Sequence, residues 1–340
     1  NGTLTKNGSV LVLGGGGTHV VNGSIVGANA NSDLYVSNST TTINSTNSYN
    51  GPTFVVAGGT LNNGADNALP TDTTLTLGQA GETSSTTNTY NLNGKSQTVT
   101  AVATAGSSIA VVTNSTGTGN LTLNSSVDKS ISNLRMGGTG LTLTKSGANT
   151  VTLVSGNTIG PATIAIQQGT LLLGAANQIG DSTAVTLSGG TLNTGGLADR
   201  VGQLNLTANS SISGLATSAG AGVASSSDFL FSDVDLNTYS GGGGYTLNLG
   251  SGYSNGQTIN FSSSNFTSWS GYSSANLNTF ADKIQFGSTG MKAQISFNGT
   301  SGLTYVTAIP EPKVYVAAGI LCLLVGLTEV NRRKKKALKA

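Results

Sequence analysis

The chain has 340 residues, of which 8% are charged, 5% are aromatic and 49 are glycine, with one Cys, one His and a formal net charge of +2. Regularly recurring Val, Ile, Leu and Thr exclude a disordered polyampholyte, and a single Cys excludes an intramolecular disulfide. Residues 1–309 hold eight basic and eleven acidic side chains, so the body is net −3, the positive balance belongs to the tail, and a nucleic-acid partner is excluded.

In chain order, the first predicted element is Leu4-Thr-Lys-Asn-Gly8, which returns as Leu143-Thr-Lys-Ser-Gly147. The stretch from Gly51-Pro52 through Gly59-Thr60-Leu61 to Thr74–Leu77 returns from Gly160-Pro161 through Gly169-Thr170-Leu171 to Ala184–Leu187. The second copy runs from Leu143 to about Thr207, and the first carries an Asn/Ser/Thr-rich insertion of roughly thirty residues before Gly51. Within the copies a step of 21 relates Leu143 to Ile164, Ile164 to Val185, Val185 to Leu206, Ile166 to Leu187, Phe54 to Leu75 and Val56 to Leu77. Apolar residues alternate with Thr, Ser or Ala inside each step, the period of a half-buried strand. Gly and Asn at the ends of these runs permit positive φ at corners.

A constant step between alternating runs predicts an all-β fold, a parallel β-helix in which coils stack about 4.8 Å apart and equivalent residues form apolar columns. Ile164, Val185 and Leu206 are expected in one column, and Ile166 and Leu187 in a second. An antiparallel sandwich is the structural alternative. The wording Leu143-Thr-Lys-Ser-Gly-Ala-Asn-Thr-Val-Thr-Leu153 followed by Gly169-Thr-Leu-Leu-Leu-Gly174 resembles the autotransporter-associated β-strand repeat, well over 143–196 and loosely over 1–78. That resemblance implies a parallel β-helix of an exported surface protein, with no catalytic residues to carry over. The solenoid is expected to span 1–207.

Residues 208–308 are expected to form a Gly/Ser-rich linker, Leu215 to Ser227, and then an aromatic-rich β cap. Its strands are predicted around Phe229–Phe231, Tyr245–Leu249, Thr258–Phe261, Lys283–Phe286 and Gln294–Phe297. A solenoid end exposes an unpaired edge and requires such a cap.

Candidate chemistry is sparse. Asp233-Val-Asp235-Leu-Asn237 has the spacing of the first ligands of a calcium-binding loop, but Thr238 stands at the required glycine and Gly244 at the required Glu, so solvated turn carboxylates are the expectation. The runs Gly14–Gly17 and Gly241–Gly244 lack the Lys and Ser/Thr of a phosphate loop, and His19 has no local nucleophile. Lys145, Asp181, Asp199 and Arg200 are scattered over more than fifty residues and assemble no lyase site in sequence. No catalytic residue, metal site or cofactor is expected.

The tail is the sharpest motif. Pro310-Glu311-Pro312 precedes an uncharged apolar run, Val314–Thr328, and the basic block Arg332, Arg333, Lys334, Lys335 and Lys336. As a helix, fifteen residues span about 22 Å, short of a hydrocarbon core of roughly 30 Å, with Glu329 and the basic side chains able to snorkel. Tyr315 stands where an interfacial aromatic belongs, and Cys322 is a small hydrophobe within the run. The positive-inside rule leaves the C-terminus in the cytoplasm. The pattern resembles the PEP-CTERM sorting domain, here 309–340, with a transmembrane helix over 314–330. That resemblance implies export, a transient inner-membrane precursor and an exosortase-type processing enzyme that reads Pro310, Glu311 and Pro312. Lys313 departs from the small polar residue usual there. Export also requires a signal peptide, expected upstream of Asn1.

The reading reached from sequence is an exported, non-enzymatic cell-surface or extracellular-matrix structural protein, with extracellular polysaccharide as a partner. A carbohydrate-active enzyme on a β-helix and a surface adhesin are the alternatives.

Overall fold

The computed structural model describes residues 2–218, 220–237, 244–287 and 290–310. Its strands wind into a parallel β-solenoid of about 10 turns, three strands to a coil through most of its length. Leu4–Thr5, Leu11–Gly14 and Thr18–Val21 make the first coil. Ile25–Gly27, Leu34–Ser37 and Thr40–Ile43 repeat it, each strand pairing in parallel with its counterpart. We call these positions the first, second and third faces. Asn residues with positive φ, among them Asn38, Asn67, Asn93, Asn133 and Asn177, turn many of the corners.

The second repeat follows the predicted register for two steps. Leu121, Leu143, Ile164 and Val185 stack on the first face, and so do Ile166 and Leu187. Leu206 is a correction: it stacks on Leu187, and Leu204 continues the Val185 column. The cause is local. The preceding coil turns at Gly180, whose carbonyl accepts from the Thr183 amide, whereas Asp199–Leu206 runs straight through the equivalent corner, so the step falls from 21 to 19 residues.

A second correction concerns the first repeat. Thr53 pairs with Leu75, Phe54 with Thr76 and Val55 with Leu77, so Phe54 points outward and does not share a column with Leu75. Thr53 turns inward because its hydroxyl has buried partners, the Tyr49 hydroxyl at 2.6 Å and the Thr73 hydroxyl at 3.1 Å. The two long copies also occupy different faces. Thr53–Val56, Thr60–Asn63 and Thr74–Leu77 lie on the second, third and second faces. Thr163–Ile166, Thr170–Leu173 and Ala184–Leu187 lie on the first, second and first.

Parallel stacking continues past residue 207. Ser210–Ser213, Phe229–Val234, Leu247–Asn248 and Ile284–Gln285 all extend the ladders in parallel. The chain then reverses: Met291–Asn298 and Leu303–Pro310 form an antiparallel pair that closes the first-face sheet against Thr258–Ser262. In this region Phe229, Phe231, Phe261, Trp269 and Phe280 form a packed aromatic group. The region also contains a helix, Ser274–Lys283, where strands alone were expected; Ser273 caps it by accepting from the Asn276 amide. Among the described residues no helix is long and apolar enough to cross a membrane. The helix expected over 314–330 lies outside them.

Candidate functional site

Pro310 ends the final strand, paired with Met291 at the edge of the first-face sheet. A proline at a strand end costs no ladder hydrogen bond. Glu311, Pro312 and the basic residues Arg332, Arg333, Lys334, Lys335 and Lys336 lie outside the described residues.

The recurring Leu-Thr-Lys motif gives a result that sequence reasoning missed. Lys145 occupies an inward position, stacked between Leu123 and Ile166, and is 1% exposed. Its ammonium donates to the carbonyls of Gly147 and of Gln168, the latter at 3.0 Å. Burial lowers its pKa, with the Asp128 charge opposing that shift. Lys6 repeats the arrangement in the first copy. It donates to the Asp33 carbonyl, lies 5.1 Å from the Tyr49 ring centroid, and has a pKa lowered by burial with Asp33 opposing. Each lysine closes a corner from inside, satisfying carbonyls that face the core. Gly169 belongs to the corner at Lys145: its φ is +67°, and a Cβ there would lie 2.5 Å from the carbonyl oxygens of Gly147 and Asn149. The signal was present, because a residue two after an inward Leu shares its side of the strand.

Asp181, Asp199 and Arg200, scattered in sequence, meet in the fold. With Asp228, Ser225 and Leu303 they line a cavity of about 350 Å³ between the last coils and the antiparallel pair. The carboxylates of Asp199 and Asp228 are committed to hydrogen bonds within the chain. Asp199 Oδ2 accepts from the amides of Gln178 and Ile179 at 2.9 and 3.0 Å, and Oδ1 accepts from the Arg200 amide at 2.8 Å. Burial raises the Asp199 pKa against the lowering effect of those three amides. Asp228 Oδ2 accepts from the Ser225 amide and the Asn260 side chain. The cluster therefore organises chain reversals at the cap. Lys145 does not join it.

The remaining candidates serve turns. Asp233 accepts from the amide and hydroxyl of Ser270 and from Gln203, while Asp235 accepts from the amide and side chain of Asn237. The two carboxylates thus engage different partners. His19 is half-buried on the third face, its Nε2 3.0 Å from the Gly14 carbonyl oxygen. Among the described residues no three His, Cys, Asp or Glu side chains are grouped to hold a metal ion.

Regular order extends to the outer surface. Thr150, Thr170, Thr191 and Ser211 stand in register on the outside of the second face, as do Asn120, Thr142 and Thr163 on the first. This gives files of hydroxyl and amide groups along the coil axis at sheet spacing, about 4.8 Å. No protein-family model, no curated protein and no solved structure matches this chain.

Proposed function

We propose that this chain is an exported, non-enzymatic structural protein of the cell surface or extracellular matrix, its solenoid acting as a rigid body that displays polar files outward. The observation that carries this reading is the stack of parallel coils around one apolar core, which extends from Ile25 of the second coil into the cap. Such a body needs no disulfide to hold its shape outside the cell. The tail supplies the route: Pro310, Glu311 and Pro312 as the motif read by an exosortase-type enzyme, 314–330 as a transient inner-membrane stop, and Arg332–Lys336 as the cytoplasmic block.

Processing is tested by mass spectrometry of the surface-extracted protein. The expected mature body ends near Pro310. Peptides containing Leu338-Lys339-Ala340 in the extracellular form would show that the tail is a permanent anchor. Recovery of the whole chain from the cytosol would end the surface reading.

A further inference from the structure

The outward position of Phe54 creates a site. On the outside of the second face, Val12, Tyr35, Phe54, Thr76 and Ala103 follow one another in register. The Tyr35 and Phe54 rings are stacked, their centroids 4.3 Å apart and their planes 17° from parallel. At Thr76 the file drops from an aromatic ring to a small side chain. One face of Phe54 is thereby left as the wall of an open notch of about 450 Å³, bordered by Asn50, Asp72, Thr74 and Thr76. The Asp72 carboxylate is exposed and has no hydrogen-bond partner among the described residues. It stands at the corner before Thr74.

We infer that this notch binds a hexose unit of a neutral polysaccharide. The Tyr35–Phe54 pair shows the spacing at which a flat ring rests in this file, and the next place is vacant above Thr76. A pyranose has a face made of C–H groups, which suits the negative π face of Phe54. Its hydroxyls are donors, which suits Asp72, and they exchange hydrogen bonds with the Thr76 hydroxyl and the Asn50 amide. The volume falls within the range of small-ligand clefts, about 300–1,000 Å³. Asp72 and the net −3 of the body disfavour anionic uronate polymers. The notch opens to the surface, so an internal unit of a long chain can enter as well as an end. This inference gives the matrix reading a ligand class, yet its test is made on purified protein and does not depend on where the protein resides.

The test is affinity electrophoresis of the 340-residue chain in mild detergent, in native gels containing laminarin, xyloglucan, galactomannan or dextran, with polygalacturonate as the anionic counterpart. At least one neutral polymer is expected to retard the wild type more than polygalacturonate does. Phe54→Thr should weaken that retardation about tenfold or more, and Asp72→Ala several-fold. Thr186→Asp, on another face, should leave it unchanged. Melting curves establish that each variant is folded; if Phe54→Thr is not, Asp72→Ala at its exposed corner decides. The inference is overturned if no neutral polymer retards the wild type, if polygalacturonate retards it more strongly, or if the folded notch variants migrate as the wild type does. Surface fractionation, a separate measurement, would still judge the matrix reading.

Discussion

Lys145 places a cation in an apolar file that includes Val99, Leu123, Ile166, Leu187 and Leu206. Lys145→Ala removes both the aliphatic stem and the donor to two carbonyls, and is expected to cost about 2–5 kcal/mol. Lys145→Met keeps the stem and should cost less. The pH dependence separates charge from shape. With its folded pKa below the unfolded value, Lys145 makes the unfolded chain bind more protons within that window, so stability rises as pH climbs through it. Tyr49 and Tyr90 act oppositely: burial raises both, so above about pH 10 the unfolded chain ionises first and stability falls. Denaturant unfolding against pH should therefore show a rise and then an alkaline decline, and Lys145→Met should reduce the rise, leaving the part due to Lys6, without altering the decline. An unchanged rise in that variant would mean the lysine charge is not the cause. At the same scale, Val185 is 0% exposed and Thr186 points outward. Val185→Asp should cost about 3–5 kcal/mol, whereas Thr186→Asp should lie within about 0.5 kcal/mol of wild type, by thermal unfolding. Equal effects would refute the observed strand parity.

Elements were legible where alternation was strict. Thr163–Ile166 and Ala184–Leu187 each read polar-or-small, apolar, polar-or-small, apolar, which leaves one parity, and the structure has it. Phe54-Val55-Val56 is a run of three apolar residues, so either parity satisfies the pattern; the inward hydroxyl of Thr53 broke the tie, and no local rule announces the buried Tyr49–Thr53–Thr73 hydrogen-bond chain. The 19-residue step after Val185 depends on an omitted corner, a fact of three-dimensional path rather than of composition. The helix Ser274–Lys283 buries only Phe280 and so lacks an apolar stripe to betray its period. Three near-equivalent faces explain why repeated wording did not fix position: the same strand–corner–strand unit fits the second and third faces as well as the first and second. Of the site residues, the lysine pair was visible as a recurrence but not as a burial. Asp181, Asp199 and Arg200 could not be gathered without knowing which corners adjoin.

For the whole molecule, the cap decides solubility. Deleting residues 274–310 would strip the antiparallel partner from Thr258–Ser262 and expose the cluster around Phe261 and Trp269. Chains so shortened are expected to self-associate through the bare edge, seen as higher-order species in size-exclusion chromatography with light scattering. A monomer with an unchanged melting transition would show that the cap is dispensable.

The inward lysines bear on survival among proteases. Residues 1–309 offer a trypsin-like enzyme only eight basic side chains, and Lys6 and Lys145 face the core. Cleavage requires the backbone on both sides of the scissile bond to leave its ladder, so those two positions become substrates only after their coils open. Limited digestion of the folded body should therefore first cut at Lys95, in the turn before Ser96–Val99, with Lys145 cut only in denaturant. Early cleavage after Lys145 under native conditions would show that its coil opens readily. A body built this way resists digestion by withholding its few cleavable residues, a durability that arises from which way a side chain points.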